Sequence, residues 1–227
     1  MGPLLALALT LTLSAAAEPP VKASIVIGGH AFDPAFFGVF SGLTWLRAQV
    51  TPHPSALNRS IRNDDVLILY DMLDELPVAK QETLREFAES GKGIVILHHA
   101  LIDYTNWPWW HREVTGGKYL RPGDEGKPST FQHDLDLSIR VDRDHPVTRG
   151  LRPFTIRDEA YKGMWLSPGN QVLLSTGHPD SDGPVAWISG WDKARVVVIQ
   201  LGHGPEAHRD PNFRKLVANA ILWAAGR

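Results

Sequence analysis

Two adjacent imidazoles, His98 and His99, close the apolar run Ile94–Leu97 in the segment GKGIVILHHA. Such a run reads as a buried strand, and in open α/β sheets ligands bind beyond the carboxyl ends of the strands. Histidine titrates near neutrality and also ligates metals, so a strand end is where an imidazole is best placed for chemistry. The pattern recurs: Arg195–Leu201 runs into Gly202-His203-Gly204, and Ser24–Ile27 leads through Gly28-Gly29 to His30. Strand side chains alternate faces, so only one of His98 and His99 should face the crevice, unless the chain turns sharply after Leu97.

Carboxylates complete the set. Asp158-Glu159 stands beside Tyr161, and Glu159 could act as a general acid or base if desolvated. Asp71, after its own strand, could orient a histidine or hold a substrate hydroxyl, although a turn cap is the better reading. Glu206 could orient an imidazole or simply carry solvated charge. His133, His145 and His178 read as loop histidines, His145-Pro146 as a structural turn, and His208 as a residue leading into a helix. Trp107, Trp109 and Trp110 follow the His98 strand and suit either the apolar face of a sugar or a lid over the core. A divalent metal is a further possibility, with His30, His98, His203 and Glu159 as a mixed nitrogen–oxygen set. The i, i+4 helical spacing that would strengthen it is absent.

The elements that must carry these residues begin as strand, helix, strand. Ala23–Ile27, Val66–Tyr70 and Ile94–Leu97 read as strands. Glu75–Ser90 reads as a helix between the last two, with Asp74 as cap, Pro77 in its first turn and Gly91 at its end. That order demands parallel strands with right-handed crossovers. Residues 101–165 read as a long irregular segment, of the kind that usually serves function. Strand signals return at Leu137–Val141, Val172–Ser175, Val185–Ile188 and Val196–Leu201. Asp210 and Pro211 open a last helix whose apolar stripe is Phe213, Leu216, Val217, Ala220, Ile221 and Ala224.

The chain has 227 residues and a net charge of -2, so no strong field favours nucleic acid or an anionic membrane. It has no cysteine, which excludes thiol catalysis and disulfides alike. There is no H-E-x-x-H or G-x-S-x-G signature, and Gly28-Gly29 lacks the G-x-G-x-x-G spacing, so no nucleotide cofactor is expected. Residues 1–17 are uncharged, apolar and end in small side chains. They resemble a secretory signal, although the basic opening segment is missing. The expectation is an exported, periplasmic or extracellular protein. An uncleaved anchor or a disordered tail is the alternative. Residues 18–227 read as one domain.

Together these segments resemble the ThuA-like family, named for trehalose utilisation. The carriers run from Gly29-His30 through Gly91–Ala100, Gly116-Gly117, His133 and His145–Thr148. They continue through Asp158–Tyr161, Val185–Trp187, Leu201–His203 and Asn219–Trp223, and the likeness spans about Val21 to Gly226. The resemblance implies a three-layer α/β sandwich with a mostly parallel central sheet, like that of class I glutamine amidotransferases and flavodoxin. Those enzymes need a cysteine nucleophile after a central strand; here His98 stands near that place and His203 near their histidine. The scaffold is therefore expected without glutaminase activity. The likeness marks His30, His98, Glu159 and His203 first, then His99, His133, His145 and Tyr161. It implies a small-molecule sugar as partner, a disaccharide or 3-keto-glycoside. Metal-assisted hydrolysis and a non-catalytic sugar-binding module are the alternatives.

Overall fold

The computed structural model describes residues 18–227; the signal-like segment lies outside them. The strands, in chain order, are β1 (Val21–Gly28), β2 (Leu46–Pro52), β3 (Val66–Asp71), β4 (Gly93–Leu97), β5 (Gly117–Lys118) and β6 (Thr130–Val141). They continue with β7 (Phe154–Lys162), β8 (Trp165–Leu166), β9 (Gln171–Thr176), β10 (Pro184–Ile188) and β11 (Val196–Ile199). The α-helices are α1 (Val78–Glu89), α2 (Pro205–Arg209) and α3 (Pro211–Ala224).

Nine strands form one sheet in the order β2-β1-β3-β4-β11-β10-β9-β6-β7. The first four pairings are parallel, in a doubly wound order of the flavodoxin kind. The other four are antiparallel. The strands β3, β4 and β11 are buried along their whole length because both faces are covered. Val95 and Leu97 of β4 join α3 in one core, while Ile94 and Ile96 join α1 in the other. That division makes three layers.

α3 forms where its stripe and cap require: Asp210 accepts from the backbone N–H of Asn212 and Phe213, and all six stripe residues are buried. α1 starts later than the expected Glu75, because Pro77 takes the capping position. Asp74 caps nothing there and pairs with Arg121 instead. Gly91 ends the helix region with a φ of +83°, as its position suggests.

The segment 101–165 is less irregular than its sequence reads. It holds the whole of β6 and β7, paired as a hairpin. The sequence signal at Leu137–Val141 marks the second half of β6; its first half and β2 are largely exposed and carry no apolar run, so neither had the expected signature. Since β11 and β7 are separated by four antiparallel pairings, β7 runs in the direction of β11. Its carboxyl end, and the amino end of β6 beside it, therefore lie at the edge where β4 and β11 end. A register irregularity between Gln132 and Leu135 bends β6, with Asp134 at a φ of +59°. The curl brings β7 back against the β11 terminus, where Gln200 Nε2 donates to the Glu159 carbonyl at 2.9 Å.

Candidate active site

At the end of β4 the chain turns abruptly. Leu97 is extended, but His98 has a φ of +47°, the left-handed region that costs a non-glycine residue about 1–2 kcal/mol. A 3₁₀ turn, His98–Ile102, follows. The turn abolishes strand alternation, so both imidazoles lie at the carboxyl edge. The His98 Nδ1–H donates to the Gln200 carbonyl at 2.8 Å, which leaves Nε2 as a bare lone pair pointing outward. That Nε2 stands 3.0 Å from His203 Nδ1. His99 packs against Tyr70 and His30, with ring centroids 4.5 and 4.9 Å away, and neither of its nitrogens makes a hydrogen bond of normal geometry.

His203 is held by its backbone. The Asp158 carboxylate accepts from the N–H of Gly202 at 2.7 Å, of His203 at 2.9 Å and of Glu159 at 2.9 Å. Gly202 sits at a φ of +114° with Phe213 directly behind it, so a side chain there would collide with that ring. The strand pairing and this clamp together aim Glu159 at the imidazoles. One of its oxygens lies 2.6 Å from His133 Nδ1 and 3.0 Å from His203 Nδ1; the other is 3.9 Å from His98 Nε2. The Tyr161 hydroxyl, from the same face of β7, is 3.4 Å from His98 Nε2.

Burial dominates the electrostatics. It pushes the Glu159 carboxyl up to about 7, against the Tyr161 hydrogen bond that pulls it down. It pushes His203 down to about 4 and His99 to about 3, with neighbouring imidazoles adding to both. His98 is lowered well below its ordinary value for the same reasons, and burial holds the Tyr161 phenol well above 10. Near neutrality the site therefore offers neutral imidazoles at His98, His99 and His203, a protonated phenol and one carboxyl poised to exchange a proton.

These groups line a cavity of about 410 Å³. His30, His98, His99, His133, Glu159, Tyr161 and His203 all reach it. His30 stands on the exposed rim with its Nδ1 2.6 Å from the Ala31 carbonyl. The other sequence candidates lie elsewhere. His145 caps the short turn Pro146–Thr148 and packs on Trp223, remote from the cavity, because its ring accepts from the Val147 N–H. Trp107 and Trp110 are buried beneath the sheet in the α1 core rather than facing a sugar. Asp71 is buried beside His53, 3.1 Å away, and does not line the cavity. His208 is a support, bonded to Tyr70 and to the Gly202 carbonyl. Sequence reasoning missed Tyr119 and Phe131, which supply the aromatic lining instead. Phe131 left one trace, an apolar residue two positions before a histidine in a polar run. Of the metal candidates, His98, Glu159 and His203 bring ligand atoms within 4.8 Å of one another, and His30 is not among them.

A flavodoxin-ordered sheet with imidazoles at the ends of β4 and β11, in a chain without cysteine, defines a class: amidotransferase-like scaffolds without the thiol. Within it, the chain belongs to the ThuA family, described as trehalose utilisation, whose model matches residues 43–224. Membership supports a role connected with carbohydrate utilisation. The chain is similar in fold to a ThuA-like protein from Parabacteroides merdae, with a TM-score of 0.77 and 18% identity over 91% of this chain and 90% of that one. A ThuA-like protein from Bacteroides uniformis gives 0.69 and 23% over 94% and 95%. A GMP synthase subunit from Thermoplasma acidophilum gives 0.58 and 11% over 92% and 96%. No curated protein matches the chain in sequence.

Proposed function

We propose that the protein is a carbohydrate-active enzyme that carries out acid–base chemistry on a 3-keto-glycoside, with Glu159 as the proton-transfer group. The observation that carries the reading is a buried carboxyl set among three imidazoles and a phenol in a cavity of sugar size. A ketone at C3 acidifies the C2–H, so a single well-placed base suffices. Ionised Glu159, held by the Nδ1–H groups of His133 and His203, removes the C2 proton. The electron pair forms the C1=C2 bond as the C1–O bond breaks. The leaving oxygen takes up the proton that Glu159 has just acquired, so the products are an alcohol and an unsaturated ketone. Tyr161, which keeps its proton, donates a hydrogen bond to the C3 oxygen as negative charge develops there. His98 Nε2 has no proton to give in this arrangement and accepts a hydrogen bond from a substrate hydroxyl.

Replacing Glu159 by Gln should reduce turnover of 3-keto-trehalose by about 100- to 10,000-fold with the thermal melt retained. Turnover within twofold of the unaltered protein would overturn the reading. The wild-type kcat/KM should rise through about pH 7 as Glu159 loses its proton.

A second reading rests on its own observation, the convergence of His98, His203 and Glu159 ligand atoms within 4.8 Å, with His133 on the same carboxylate. Nitrogen and oxygen donors of this kind suit zinc or a similar divalent ion. A bound cation would hold Glu159 ionised well below neutrality and erase the limb near pH 7. Stoichiometric metal in protein purified without additions, with activity lost on chelation, would establish this alternative. Substoichiometric metal and chelator-resistant activity would dismiss it.

A further inference from the structure

The cavity has two unlike walls. One is the strand edge with its imidazoles, carboxyl and phenol. The other is built from the segment between β5 and β6 together with the start of β6, and it offers Leu120, Pro122, Pro128 and Phe131. Two of its polar side chains are already committed, and the remaining one facing the cavity, Tyr119, presents an aromatic ring with a single hydroxyl. Ser129 Oγ donates to the Gly163 carbonyl at 2.9 Å and accepts from the Leu120 N–H at 2.8 Å. The Arg121 guanidinium pairs with Asp74, and its backbone N–H donates to Asp124. Proline has no N–H to offer, so Pro122 and Pro128 add no donor.

A second sugar ring against this wall would surrender the water bound to its several hydroxyls and find only the Tyr119 hydroxyl in return, which is unfavourable. An apolar group would gain from the same burial. Phe131 sharpens the argument. It is a large apolar side chain left 55% exposed, its ring lies 5.0 Å from that of His133, and it pairs across the strands with Tyr161. Of the large hydrophobic residues exposed among the described residues, it alone lines the cavity. At about 410 Å³ the cavity is toward the small end for a ligand site, which suits one sugar ring plus one compact group.

We propose that the site takes glycosides whose aglycone is apolar, an aromatic ring above all, and that Phe131 is the residue that selects it. The proposal rests on the sugar-enzyme reading above. It is tested by comparing phenyl 3-keto-glucoside, methyl 3-keto-glucoside and 3-keto-trehalose, both as substrates and as ligands in calorimetric titration of the full protein. The expected result is a preference of at least tenfold for the phenyl compound over the other two. The variant Phe131→Ala should cut the phenyl-to-methyl ratio by about tenfold with the thermal melt retained. Equal or better use of 3-keto-trehalose, or a ratio unmoved by the substitution, would overturn the proposal. If no compound is turned over, the catalytic reading fails. The titrations still decide this one, since a phenyl preference in binding alone supports it and its absence refutes it.

Discussion

Asp158 lies outside the cavity lining, yet three backbone N–H groups converge on its carboxylate, from Glu159 on one strand and from Gly202 and His203 on the loop after another. It is a positioning residue: it fixes the base relative to the imidazole. An amide cannot accept at both termini, so Asp158→Asn should cost about 2 kcal/mol of stability, in the range for hydrogen bonds to a charged group. Its negative charge also helps to raise the Glu159 carboxyl. Removing that charge favours ionised Glu159, so the rising limb of the pH–rate profile should move below the wild-type position. A titration of kcat/KM checks this, and a limb left in place would make Asp158 a structural residue only. The same scale explains what the sequence hid about His98. Alternation was a sound rule for a strand, but a left-handed residue ends the strand. Histidine enters that conformation more often than most residues, but it is uncommon for any of them, so the spacing left the sharp turn open without requiring it.

At the scale of elements, the legible parts were those buried on both faces. β3, β4, β11 and α3 announce themselves as unbroken apolar runs or a clean helical stripe. β2, β6 and β7 lie at or near the margins of the sheet, and their alternation is interrupted by charge and by the irregularity at His133-Asp134. The aromatic lining was illegible for a related reason. Tryptophans in a loop and a phenylalanine on an edge strand cannot be told apart as core or cavity until the layers are stacked. The stacking itself is close. A Cβ on Gly93, at the start of β4, would stand 2.5–2.6 Å from Ala224 at the end of α3. Gly93→Ala should therefore force the helix away from the sheet at a cost of about 1–3 kcal/mol, as overpacking does. A denaturant midpoint equal to the wild type would show that the helix end yields freely.

Across the whole molecule, the candidate site joins two halves of one sheet. The parallel half brings His30, His98 and His203 to the carboxyl edge, which is why three strand-end histidines could be read from the sequence as a constellation. The antiparallel half brings Glu159, Tyr161, His133 and Phe131 from the curled hairpin of β6 and β7. Family likeness pointed to Glu159, but only the curl explains how an outermost strand reaches the central crevice.

That curl has a consequence for how the protein comes to exist. The contacts that unite the halves link residues far apart in the chain: 44 positions for Asp158 and Gly202, and 63 for His98 and Tyr161. Closing such spans costs chain entropy before any contact rewards it. The parallel half can form its strand–helix–strand unit from nearer neighbours. Chain entropy therefore favours an order in which the pocket is completed late, as the hairpin docks on the parallel strands.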